Sequence, residues 1–373
     1  MNMILRALMV SVWFMALTFP LVVLKVDALN DTILFRWENM ASIGVGAFVL
    51  SIFWRWSMER KARGAVSTSP SLFARALEAV RQPKPRYTCL GLIAVLMLVM
   101  PYISSMYQIN IMISALIYIM LGLGLNIVVG LAGQLVLGYA AFYAVGAYTY
   151  GLLNTYFGLG FWAVLPVGGI MAALFGLMLG FPVLRLKGDY LAIVTLACGE
   201  IIKTIINNLS VTGGAKGLDT SDIYADTRTL LPFAIVLIFL VVLVMMNLKN
   251  SRHGRAIMAI RDNRIAAESN GVNVTYYKLM VFVLAAFFAG MAGVLYGHTL
   301  ANIKPAMFDY NMSIEILVIV VLGGMGSIRG SIIATIILRA LPEVLRQVAD
   351  YRMLAYSVLL IVIMLLNSSP QFA

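Results

Sequence analysis

Long apolar runs broken by short polar stretches dominate the chain. They fall near 7–24, 40–54, 88–106, 111–129, 135–153, 161–184, 190–206, 230–247, 279–300, 312–327, 330–345 and 353–367. About 20 apolar residues cross a bilayer as a helix. Backbone groups in lipid must pair internally, so spans are helices or a closed barrel. Barrel strands alternate polar and apolar side chains, and these runs do not. The pattern predicts an all-α polytopic membrane protein. Residues 7–24 are read as an uncleaved first span rather than a signal peptide, because the apolar stretch is long for a leader. The first two spans and the following linker, 1–86, form an N-terminal extension. A ten-helix core follows over 87–373.

One segment departs from this pattern. Ser251 to Lys278, "SRHGRAIMAIRDNRIAAESNGVNVTYYK", is polar and basic between two apolar runs. From Arg255 to Asn270 it lacks Pro and Gly and is rich in helix formers. One helix is expected there, stopped by Gly271. Ile257, Ile260 and Ile265, with Ala267 nearby, make a small apolar face. Arg261, Arg264 and Glu268 project from another side, with Arg264 and Glu268 spaced to pair. A basic helix on anionic headgroups is one reading. The segment has no large aromatic between Arg252 and Thr275, and Asp262 and Glu268 stand among its arginines. Small residues and mixed charge favour docking into a protein groove.

Composition agrees with the span count. The 373 residues are 62% hydrophobic and 12% charged, far from the soluble average of roughly a quarter charged. The net charge of +11 resides mainly in short loops, so it reports topology rather than nucleic-acid binding. Residues 55–86 carry eight basic side chains against Glu59 and Glu78 and belong in the cytoplasm. Counting onward places Arg185 and Lys187 inside, Asn207–Thr229 outside and Ser251–Lys278 inside. Both termini are then cytoplasmic. Charge and parity part company only after Arg339, where Arg346 and Arg352 would be external.

Glycine marks two places, Gly122–Tyr148 and Val321–Ile337. Paired Gly-interrupted spans in two halves of a chain point to a transport path. Close helix packing through small residues is the other reading. Asn126, Gly130, Gly133, Gln134, Gly138, Glu200, Gly323, Gly324 and Gly326 are the translocation-path candidates. Asn126 and Gln134 either bond between helices or line the path. Glu200 and Lys203 form an ion pair or a polar lining, and Glu315 reads as a charge near a helix N-terminus. Tyr139 and Tyr143 read as packing between helices. Cys89 and Cys198 stand far apart, with no disulfide expected and no metal spacing. No GxxxxGK[ST] or G-x-S-x-G occurs and only two histidines, His253 and His298, are present, so no enzymatic constellation, metal site or nucleotide cradle is expected.

The stretches "GLGLNIVVGLAGQLVLGYAAFYAVGAY", "LGFPVLRLKGDYLAIVTLACGEIIK", "TGGAKGL", "GRAIMAIRDNRIAAESNGVN", "FAGMAGVLYG" and "VVLGGMGSIRG" together carry a resemblance. From about Ile117 to Leu366 the chain resembles the LivM family, the M-type permease subunit of bacterial branched-chain amino acid ABC importers. The resemblance implies a ten-helix type II-like ABC permease core with Gly-broken helices in the bacterial inner membrane, contacting lipid but no nucleic acid. It implies as partners a homologous H-type permease, two cytoplasmic ATP-binding subunits and a periplasmic amino-acid binding protein. ATP and Mg would sit on those ATPase subunits, leaving no cofactor on this chain. The cytoplasmic loop 248–278 corresponds to the coupling loop, and Arg255, Arg261, Asp262, Ala266, Ala267, Glu268 and Gly271 to its ATPase-coupling helix. Import of another small polar solute, such as urea or an amide, remains open, as does a stand-alone secondary transporter.

Overall fold

The computed structural model describes residues 24–27, 32–35, 105–183, 186, 188–220 and 227–344. The chain divides into two compact units, 1–90 and 91–373. In the first, β1 (Leu24–Asp27) and β2 (Thr32–Phe35) pair as an antiparallel hairpin, with Leu24 opposite Phe35. The first two expected spans, the basic linker, Cys89, Arg185, Lys187 and the run at 353–367 lie outside the described residues.

The second unit is helical. Its spans are α1 (Met106–Asn126), α2 (Tyr139–Phe157), α3 (Phe161–Val183), α4 (Asp189–Asn208) and α5 (Thr227–Asn250). After two short helices, α6 (Arg252–Asp262) and α7 (Arg264–Ser269), come α8 (Val274–Thr299), α9 (Tyr310–Gly323) and α10 (Ile328–Val344). Each expected run from 111 to 345 therefore has a helix, displaced by a few residues at its ends. Six segments among the described residues are long and apolar enough to span a membrane.

The core sits around α1, α2 and α8. Tyr139, Tyr143, Tyr150 and Phe288 are almost wholly enclosed. With no hydrophobic drive between helices in lipid, close approach must come from small residues. At one such crossing Gly146 of α2, Gly168 of α3 and Gly290 of α8 meet. A Cβ on Gly146 would lie 2.1 Å from the Gly290 carbonyl oxygen, and one on Gly290 would lie 2.5 Å from that of Gly168. Tyr139 donates from its hydroxyl to the Ala285 carbonyl at 3.0 Å, and Tyr143 packs on Tyr296 and Phe308, so both tyrosines serve helix packing as expected.

Two loops at one end of the bundle are tied together. β3 (Leu218–Asp219) pairs antiparallel with β4 (Asn302–Ile303). Thr220 adds an N–H bond to the Ala301 carbonyl at 2.8 Å and a hydroxyl bond to that of Leu300 at 2.6 Å. The loops after α4 and α8 thus share a side, as the parity count requires. The polar segment 251–273 lies at the other end.

The expected single helix over 255–270 is two helices. Asn263 is extended (φ −153°, ψ 105°) and its side chain accepts from the Ala266 N–H at 3.1 Å. An asparagine that offers the backbone a fresh cap competes with helix continuation, which local helix propensity does not register. Gly271, at φ +79°, ends α7 as expected. Its N–H bonds to Glu268 and that of Val272 to Ala267, the paired bonds of a Schellman stop.

Candidate functional site: a braced elbow beneath two glycine breaks

α1 does not end cleanly. Residues 127–131 form a π-helical turn, and the chain leaves through Gly133 at φ +66°. Beside it runs the turn between α9 and α10, where Gly324 and Gly326 adopt φ +86° and +81°. The two glycine segments, separated by about half the chain, are in contact here. A Cβ on Gly130 would fall 2.3 Å from the Gly326 nitrogen, and one on Gly330 would strike the Gly323 carbonyl. Their kinship in sequence position is therefore a physical junction.

Asn126 holds that junction. Its Oδ1 accepts from the Gly326 N–H at 2.7 Å, and its Nδ2 donates to the Ser331 Oγ at 2.9 Å and the Ser327 carbonyl at 3.2 Å. The side chain is fully enclosed. Of the two readings open for Asn126, the structure gives the bond between helices. Gly138 likewise serves packing, since a Cβ there would sit 1.9 Å from the Thr195 carbonyl oxygen of α4. Gly323 is pressed in the same way against Gly330 and Ser331 of α10. Gln134 is 3% exposed, and neither of its amide atoms has a hydrogen-bond partner.

Two cations from the polar segment and its entry close the junction. Arg261 of α6 donates from Nη1 to the Gly130 carbonyl at 2.8 Å. Lys249, in the last turn of α5, donates from Nζ to the Gly326 carbonyl at 2.8 Å. Gly130 lies in the turn that ends α1, where carbonyls lack partners within the helix and a nearby cation is favoured by the helix dipole, and Gly326 lies in the turn before α10. A charged hydrogen bond of this kind contributes about 1.5–3 kcal/mol. Gly133 lets Arg261 in, since a Cβ would lie 2.7 Å from the Arg261 Cγ.

The elbow of α6 and α7 has an inner and an outer face. Ile257, Ile260 and Ala267 are buried, and Ile260 and Ala267 pack with Val274. Ser251 caps α6 through the Gly254 N–H, and Arg255 bonds the Asn250 carbonyl at 3.2 Å. Asp262, Ala266, Glu268 and Gly271 are exposed. Ile265, expected on the apolar inner face, is 76% exposed, because the break at Asn263 turns α7 relative to α6. Ala267 is enclosed, so among the residues expected to form a coupling helix it supports the elbow from inside. Arg264 and Glu268 do not form the expected pair; the elbow's ion pair is Arg261–Asp262 at 3.3 Å. A cleft of about 490 Å³ opens beside the elbow, lined by Gln134, Leu191, Asp262, Arg264 and Lys278 among others.

Away from this junction, Glu200 and Lys203 pair at 3.4 Å on the partly exposed face of α4. Glu315 is not the charge at the start of α9. Asp309 caps that helix by accepting from the Met312 N–H at 3.1 Å. Glu315 instead accepts from the Tyr118 hydroxyl and from Arg339 Nη2, each at 3.3 Å, while the guanidinium carbon lies 3.1 Å from the Tyr118 ring centre. This cluster joins α1, α9 and α10, and its signal was a lone arginine inside an apolar run. Lys249, Ser327 and Ser331 gave no such signal.

Comparison with known proteins shows the family. The profile described as "Branched-chain amino acid transport system / permease component" matches residues 107–368. The chain is 42% identical over 311 residues to the high-affinity branched-chain amino acid transport system permease protein LivM of Escherichia coli (strain K12), covering 74% of this chain and 73% of that one. A probable branched-chain amino acid transport permease protein LivM of Methanocaldococcus jannaschii is 31% identical over 179 residues, 45% of this chain and 52% of that one. The ribose import permease protein RbsC of Haemophilus influenzae is 28% identical over 129 residues, 32% and 40% of the two chains. No solved structure matches. The chain belongs to the family of permease components of branched-chain amino acid transport systems.

Proposed function

We propose that this chain is the membrane-spanning subunit of an ATP-driven importer that moves leucine, isoleucine or valine across the bacterial inner membrane into the cytoplasm. The carrying observation is the 42% identity to the E. coli LivM permease across about three quarters of both chains. The subunit works beside a homologous permease, two cytoplasmic ATPase subunits and a periplasmic binding protein. ATP hydrolysis belongs to the ATPase subunits. The elbow of α6 and α7 is their docking site, with Asp262, Ala266, Glu268 and Gly271 on its outer face. Support comes from its mixed charge, its exposure and its position at the end opposite the β3–β4 loops.

The test is uptake of labelled leucine by a strain lacking this chain and any redundant importer. Binding-protein-dependent uptake should vanish and return on complementation. Uptake at the parental rate without the chain would refute the assignment. Undiminished branched-chain uptake alongside loss of urea or amide import would reassign the substrate.

A further inference from the structure

The two cationic ties and the asparagine bridge form a closed loop. Lys249 holds Gly326, Gly326 is bonded to Asn126, Gly130 lies one helical turn beyond Asn126, and Arg261 holds Gly130. The polypeptide from Lys249 through α6 to Arg261 completes the ring. We propose that Arg261 and Lys249 are positioning residues that convert displacement of the elbow into simultaneous movement of both glycine breaks.

The geometry leaves little play in this ring. Gly130 has no room for even a methyl group between Asn126 and Gly326, and Gly133 has none against Arg261. Packed contacts of this kind switch between discrete arrangements instead of stretching. α6 is held to the end of α5 and to α7, with Gly254 pressed against the Leu248 carbonyl, 2.1 Å from an added Cβ, and Ile260 packed with Ala267 and Val274. A push on the outer face therefore moves α6 as a body. The guanidinium then carries the π turn of α1, and the lysine carries the α9–α10 turn. Both moving parts adjoin glycines at positive φ, Gly133 after the π turn and Gly324 and Gly326 between α9 and α10, where the chain can change direction.

This inference rests on the docking reading of the elbow, and its test separates the two. The full complex of both permeases and both ATPase subunits is reconstituted in proteoliposomes with the binding protein. Leucine transported per ATP hydrolysed is measured for each assembled complex. Lys249→Met and Arg261→Gln should each lower that ratio about tenfold, and the double variant should be no worse than the poorer single. Lys249→Arg should keep most of it. A purely structural role would reduce the yield of complex and leave the ratio per complex unchanged, and that result would overturn the proposal. Failure of the wild-type chain to co-purify with the ATPase subunits would instead overturn the docking reading.

Discussion

At the residue scale, the most consequential side chain is Asn126. Its amide satisfies three partners in a site without water access, so its removal strands the Gly326 N–H. Leaving a buried donor unsatisfied costs about 1–3 kcal/mol each time. Asn126→Leu should therefore lower the thermal unfolding midpoint in detergent, and a midpoint indistinguishable from wild type would count against the bridge. The Glu315–Arg339 pair behaves differently. Removing one partner leaves the other charge without its counter-ion in a largely enclosed site and destabilises the fold, whereas replacing both with apolar side chains is often neutral. Glu315→Leu should reduce folded yield sharply, and Glu315→Leu with Arg339→Leu should restore it. Folded yield by size-exclusion chromatography reads both, and no rescue would show that the pair does more than neutralise itself.

At the scale of elements, the elbow depends on two stops. Gly271 closes α7 at a positive φ that proline cannot adopt, and its N–H is used by Glu268. Gly271→Pro should abolish leucine uptake while the protein still reaches the membrane, and Glu268→Lys on the exposed face should do the same by reversing a contact charge. Immunodetection in membranes beside an uptake assay checks both, with normal uptake in both variants contradicting the docking assignment. The spans themselves were legible from apolar runs, because length and composition decide them. The break at Asn263 was not, because it depends on one capping bond amid good helix formers. The meeting of the glycine segments was legible only as a likeness of position. Its cause is a set of bonds from Asn126 to Gly326, Ser327 and Ser331 that no periodicity encodes. Glu315 misled for a related reason: its partner Arg339 is remote in sequence and joins it only through helix packing.

For the whole molecule, the two ends of the bundle are built differently. One end holds the elbow and both glycine breaks. The other is closed by the short sheet between the loops after α4 and α8. Gly146 sits between them at the crossing of three helices, where no side chain fits. Gly146→Leu should separate α2 from α8 and lose most folded protein, since overpacking of this size costs about 3 kcal/mol or more. Fluorescence-detected chromatography of a tagged variant would reveal it, and a monodisperse peak of wild-type height would contradict the crossing. The small sheet also sets an order of assembly. Leu218 emerges from the ribosome long before Ile303, so the loop that carries it waits unpaired while α5 to α8 are threaded into the bilayer. Nascent chains halted before residue 300 should show that loop open to added protease, and the released full-length chain should show it sealed.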